Sequence, residues 1–312
     1  RPIHRILGLT VSENQIKIKF LLRNHSVAYI FATIWFHLKK RLFKIMKHAT
    51  TYTLIVLLIL TSIFSNAQQK AATPKTLKSS GYAPVNGLKM YYEIHGEGKP
   101  LVLLHGSFMT IDLNFAQLIP ELAKKHKVIA LEMQGHGRTG DIDRPYSYPA
   151  LASDVDGLLN HLKIDSADVL GYSLGGTVAF ELAIKHPKRV TSLVIISSVF
   201  KLDGWLQSAR DLFPTIKPEF FENTPLKADY DRLAPDKSHW KDWVNKMVAT
   251  EAVPFDLGAD NLRALKCPVL IISGDNDGVD LNHIAEMYRL CGGGVFGDVS
   301  GLPKSRLAII PG

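Results

Sequence analysis

Gly171-Tyr172-Ser173-Leu174-Gly175 decides the reading of this chain. It stands between an apolar run, Ala167-Asp168-Val169-Leu170, and an amphipathic stretch from Thr177 to Lys185. A serine at a strand-to-helix turn, flanked by residues without bulk, has the form of a nucleophile elbow. The turn is sharp, so its flanks must be small. The hydroxyl of Ser173 is then held clear of the backbone. The amide of Leu174 is left free at a helix start, where partial positive charge favours a developing oxyanion.

Working outward, the pattern from Gly81 alternates strand and helix, which predicts an α/β fold with a mostly parallel central sheet. Leu88 to Ile94 alternates apolar and polar residues and suits an edge strand. Pro100 to Leu104 is a continuous apolar run, suited to a strand buried on both faces. Leu113 to Lys125 predicts a helix, and Val128 to Leu131 the next strand. Leu151, Val155, Leu158, Leu159 and Leu162 fall at helical spacing. The helix after Ser173 ends at His186 before Pro187, and Val190 to Ile196 is another strand. Pro268 to Ile272, a helix from Leu281 to Leu290, and Leu307 to Ile310 complete the set. From about 199 to 265 the alternation breaks. This stretch holds three of the four tryptophans (Trp205, Trp240, Trp243) with Phe213, Phe220 and Phe221. An aromatic insertion between strands predicts a helical cap over the C-terminal strand ends, where open α/β sheets bind ligands. Most of its aromatics are expected simply to pack it down.

Four motifs fall at strand ends: His105-Gly106-Ser107-Phe108, Gln134-Gly135-His136-Gly137-Arg138, the serine elbow, and Gly274-Asp275-Asn276-Asp277. In this order and spacing they resemble the α/β-hydrolase fold superfamily over about residues 81–312. The likeness is greatest to small esterases, enol-lactonases and cofactor-free haloperoxidase-like members. The resemblance implies helices on both faces of the sheet, with Ser173 as nucleophile and Asp277 as the acid that orients an imidazole. Asp275 and Asp280 are close rivals for that acid, and Asp203 a more distant one. Backbone amides of Ser107 and Leu174 would bind the oxyanion, with Phe108 as the fallback for Ser107. No metal or organic cofactor is implied. The expected reaction is cleavage of a small-molecule carboxylic ester or lactone through an acyl-enzyme. A C–C hydrolase or perhydrolase on the same triad is the alternative, as is a ligand-binding protein without catalysis. A dehalogenase or epoxide hydrolase would need a carboxylate where Ser173 stands.

The base is the departure from the pattern. His105 and His136 precede the serine, whereas the fold's chain order is serine, acid, histidine; both are expected to hold loops through backbone hydrogen bonds. His161, His186 and His239 fall on surface helices or in the insertion, and His283 opens the helix before the last strand. In the superfamily the base follows the last strand, just past a pair such as Pro311-Gly312. The expectation is therefore a histidine beyond Gly312, with residues 1–312 alone nearly inactive, down by on the order of 10⁴–10⁶.

Charge and composition exclude other classes. At 46% hydrophobic and 21% charged the chain is globular. Its net charge of +8 is not spread evenly. Residues 1–47 hold ten Lys/Arg against Glu13, leaving 27 basic (37 less 10) against 28 acidic (29 less 1) in the remainder. The body is nearly neutral and carries no nucleic-acid footprint. Residues 1–45 precede the first methionine, Met46, and read as an upstream leader absent from the mature protein, or as a membrane-associated one. Met46 to Ala67 has a basic start, a short apolar core and a Ser65-Asn66-Ala67 exit, which predicts a signal peptide. Its core is too short for a span of ~20 residues, so a secreted or periplasmic protein without a stable membrane span is expected; an uncleaved anchor is the alternative. Residues 68–80 read as a polar linker. Cys267 and Cys291 match no metal or redox spacing, leaving two free thiols or one disulfide.

Overall fold

The computed structural model describes residues 76–311. The leader, the signal peptide and most of the expected linker lie outside the described residues. The end of that linker is strand: β1 (Leu77–Val85) pairs antiparallel with β2 (Leu88–His95) along its length. Only Ala83 and Val85 of β1 are buried, so its Lys-Ser-Ser start carries no apolar signal. For the same reason β2 is not the edge. It pairs with β1 on one side and with β4 (His126–Leu131) on the other.

The eight strands lie in the order β1-β2-β4-β3-β5-β6-β7-β8. The remaining strands are β3 (Lys99–Leu104), β5 (Ala167–Tyr172), β6 (Val190–Ile196), β7 (Val269–Gly274) and β8 (Arg306–Ile310). From β4 to β8 every pairing is parallel. Alternation along the central strands builds two separate cores. Val102, Leu104, Ile129, Leu131 and Val169 face one way, against α3 (Tyr148–His161), α4 (Leu174–Lys185) and α9 (Leu281–Leu290). Leu101, Leu103, Val128, Ala130 and Leu170 face the other, against α1 (Ile111–Phe115) and α2 (Ile119–Leu122). The sheet therefore carries helices on both faces.

The single helix expected over Leu113 to Lys125 is these two short pieces. Pro120 explains the break, because it removes a donor and constrains the residue before it. Thr110 caps α1, its hydroxyl accepting from Leu113 N at 3.2 Å. Residues between β6 and β7 form the helical insertion, with α5 (Gln207–Leu212), α6 (Pro225–Leu233), α7 (Trp240–Glu251) and α8 (Ala259–Arg263) joined by 3-10 turns. Its aromatics pack in a chain. Tyr230 stacks on Trp243 at 5.0 Å between ring centres, Trp240 lies 5.5 Å from Trp243, and Phe221 lies 6.0 Å from Trp240. A last short helix, α10 (Gly297–Ser300), precedes β8. Among the described residues no helix is long and apolar enough to cross a membrane.

Candidate active site

The motif loops gather where the parallel strands end. Ser173 follows β5, the His105–Phe108 loop follows β3, and Asp277 follows β7.

Ser173 itself has φ +52° and ψ −119°, a backbone conformation that a residue with a side chain rarely adopts. The surroundings hold it there. Its N–H donates to Ile196 O at 2.9 Å, and its carbonyl accepts from Gly176 N at 2.9 Å and from Ser198 Oγ at 2.7 Å. Thr177 Oγ1 braces Ser198 at 3.1 Å and donates to Val199 O at 2.7 Å. The two elbow glycines are sterically required. A Cβ on Gly171 would stand 2.2 Å from Gly175 O, and one on Gly175 would stand 2.2 Å from Leu104 O. The Ser173 hydroxyl makes no hydrogen bond among the described residues, and the Leu174 amide donates to no protein acceptor there.

The loop after β3 presses against this elbow. Gly106 N donates to Asn114 Oδ1 at 2.8 Å, and Met109 N closes a turn onto Gly106 O at 3.2 Å. Phe108 sits at φ +61°, and its ring meets Phe221 and Trp243 of the insertion at 5.1 and 5.6 Å. The Ser107 amide also has no acceptor among the described residues. His105 and His136 serve this loop and its neighbour. His105 Nδ1 bonds Gly106 O at 2.8 Å and its Nε2 accepts from Met133 N at 3.0 Å. His136 Nδ1 donates to Gln134 O at 2.8 Å. Burial holds both imidazoles neutral, with His136 pushed down to about 4 and His105 well below the ordinary value.

Beneath the Gln134–Arg138 loop lies Glu132, fully buried. Its carboxylate accepts from Arg138 N at 2.6 Å and from Arg138 Nη1 at 2.7 Å. Burial pushes the Glu132 carboxyl up to about 7, against the opposing pull of Arg138. A Cβ on Gly137 would stand 2.3 Å from that carboxyl carbon, so only glycine fits.

Asp277 is half-buried, its Oδ2 accepting from Ser273 Oγ at 2.8 Å and from Gly274 N at 3.4 Å. It lies near Tyr172, whose phenol is raised first by burial and then by this carboxylate. The rival acids have other work. Asp280 caps α9 through Asn282 N at 2.7 Å, exposed Asp275 accepts from Asn276 Nδ2 at 2.9 Å, and Asp203 pairs with Arg210 at 3.2 Å. His283 stacks on Phe200 at 4.6 Å between ring centres, its Nε2 accepting from Phe200 N at 3.3 Å. No histidine among the described residues bonds to Ser173 or to Asp277.

A cavity of about 160 Å³ opens onto Ser173. Ser107, Trp205, Phe213, Val248 and Glu251 line it, so three insertion helices and turns face the elbow. A larger groove, about 570 Å³, lies by the C-terminus of α4 around Asp165 and Arg189, and holds none of the motif residues. Glu251 is the site residue that the sequence left unmarked. It is one acid at the end of an amphipathic helix, where an exposed side chain is the ordinary case. Cys267 and Cys291 are both free and half-buried. Among the described residues no group of three or more His, Cys, Asp or Glu side chains is arranged to hold a metal ion.

Comparison with known proteins agrees with this architecture. A family model for the α/β hydrolase fold matches residues 99–235. The chain is 38% identical over 115 residues to 2-hydroxymuconate semialdehyde hydrolase of Pseudomonas sp. strain CF600, covering 36% of this chain and 41% of the relative. It is 32% identical over 177 residues to pimeloyl-(acyl-carrier protein) methyl ester esterase of Aeromonas hydrophila, covering 56% of this chain and 62% of the relative. The chain thus spans about half the length of the curated relatives it matches. Among solved structures, the enol-lactonase of Burkholderia xenovorans LB400 superposes with a TM-score of 0.55 at 23% identity, over 73% of this chain and 90% of that one. The chain has the α/β-hydrolase fold, and these three similar proteins are a hydrolase, an esterase and a lactonase.

Proposed function

We propose that this protein is a serine hydrolase that opens a small carboxylic ester or lactone through an acyl-enzyme. One observation carries the reading: the hydroxyl of Ser173, without a hydrogen-bond partner among the described residues, faces a cavity beside the amides of Ser107 and Leu174, which are likewise unengaged there. In this reading Ser173 Oγ attacks the carbonyl carbon, and the two amides take the charge that builds on the carbonyl oxygen. The serine proton passes to a histidine oriented by Asp277 and then to the leaving alcohol. Water releases the acid by the same route in reverse. That histidine lies outside the described residues. The insertion acts as a cap that closes an apolar wall over the acyl group. The names of the relatives support an ester or lactone substrate. Residues 46–67 are proposed as a secretion signal, checked by whether the exported protein starts at Gln68.

A second reading, hydrolysis of a C–C bond on the same groups, is favoured by the 38% identity to 2-hydroxymuconate semialdehyde hydrolase. Substrate panels of short esters, lactones and vinylogous diketones separate the two. The test common to both is covalent labelling by a fluorophosphonate. The adduct is expected on Ser173 by peptide mapping and absent in Ser173→Ala. A label that survives that substitution would refute both readings.

A further inference from the structure

The cavity at Ser173 is walled by Phe108, Trp205, Phe213, Ile216 and Val248, yet it contains a carboxyl group. Glu251, the last residue of α7, is half-buried there. One of its oxygens accepts from Ser107 Oγ. No Lys or Arg pairs with it among the described residues, and its other oxygen has no partner. Burial raises the carboxyl above its ordinary value, the Ser107 bond pulling the other way. It also adds to the rise at the buried phenol of Tyr148. A carboxyl oxygen open to a cavity with mostly apolar walls is weakly solvated and left without a protein donor. A donor delivered by a bound molecule makes up that lack.

We propose that Glu251 is a specificity-determining residue, receiving a hydrogen-bond donor, a hydroxyl or an amine, that the substrate carries close to its scissile carbonyl. The inference rests on the hydrolase reading for the position of that carbonyl. The size of the cavity sets the reach. About 160 Å³ is the liquid volume of roughly five waters. The donor therefore sits on a short branch, as in a 2-hydroxy or 2-amino acyl group. The Ser107 link fixes the carboxyl beside the amide expected to bind the oxyanion, so donor and carbonyl are read together.

The experiment measures binding without turnover, so it is independent of whether Ser173 reacts. The whole chain carrying Ser173→Ala is titrated with methyl lactate, alanine methyl ester and methyl isobutyrate, followed by ligand-observed NMR. These differ only in a hydroxyl, an ammonium or a methyl at one carbon. The lactate and alanine esters are expected to bind at least about tenfold more tightly than the isobutyrate. Adding Glu251→Gln, which keeps an acceptor for Ser107, abolishes the amine preference. Adding Glu251→Leu abolishes both preferences. Equal binding of the three esters, no binding of any, or a preference that survives Glu251→Leu each overturns the proposal. Loss of fluorophosphonate labelling at Ser173 would sink the hydrolase reading alone.

Discussion

Gly106 lies so close to Ser173 that a Cβ on the glycine would stand 3.3 Å from the Cβ of the serine. The same Cβ would fall 2.8 Å from the ring of Tyr172. The loop after β3 can reach the elbow only because this residue has no side chain. Gly106→Ala is expected to push the Ser107 amide away from the site. Stability should fall by about 1–3 kcal/mol, while fluorophosphonate labelling of Ser173 slows by more than the melting curve accounts for. Labelling at the wild-type rate would remove Ser107 from the site.

The elbow glycines meet backbone rather than side chain. Gly175→Ala sets a Cβ against Leu104 O, and no rotamer change relieves it. A loss of about 3 kcal/mol or more is expected in denaturant melts, against a smaller one for alanine at Gly292, where nothing lies within 4 Å of the same position. Gly292 has φ +86°, so its own cost is backbone strain of about 1 kcal/mol.

Two buried groups give opposite pH dependences. Glu132 is raised from 4.5 to about 7, so its protonated form suits the fold. Its contribution is full below pH 4.5 and is lost as pH rises through about 7, a difference of about 3 kcal/mol. Measured against Glu132→Gln, the wild type should lose ground between pH 5 and pH 8. No change in the gap would show that the Arg138 pair keeps the carboxylate ionised.

His136 is lowered from 6.5 to about 4, so its neutral form suits the fold. Its contribution is present above pH 6.5 and is lost as pH falls through about 4, again about 3 kcal/mol. His136→Gln should flatten the acid limb of stability between pH 6.5 and 4. An unchanged limb would assign acid sensitivity elsewhere.

Because no described histidine bonds Ser173, added imidazole is expected to raise turnover of an activated ester by residues 1–312. The rise should saturate and be absent in Ser173→Ala. An identical rise in both proteins would mean solution catalysis only.

The sequence made the sheet legible from β3 onward, since β3 to β7 are apolar runs, buried on both faces in β3 and alternately buried and half-buried in β7. It hid β1, where only alternate residues at one end are buried. It also read Leu113 to Lys125 as one helix, because hydrophobic spacing outweighed Pro120. At the site, the spacing of Gly171, Ser173 and Gly175 carried the backbone requirement in full. The resemblance favours Asp277 over Asp275 and Asp280, and the structure adds its bonds from Ser273 and Gly274. Glu251 had no signature, for its importance comes from a chain separation of 144 residues to Ser107.

Phe108 joins two parts of the molecule whose tasks differ. Its backbone belongs to the turn beside Ser173, while its ring is gripped by Phe221 and Trp243. Any outward swing of the helices that admits a guest must tug on that turn. The position of the turn beside Ser173 is thereby tied to the packing of the insertion's aromatic rings.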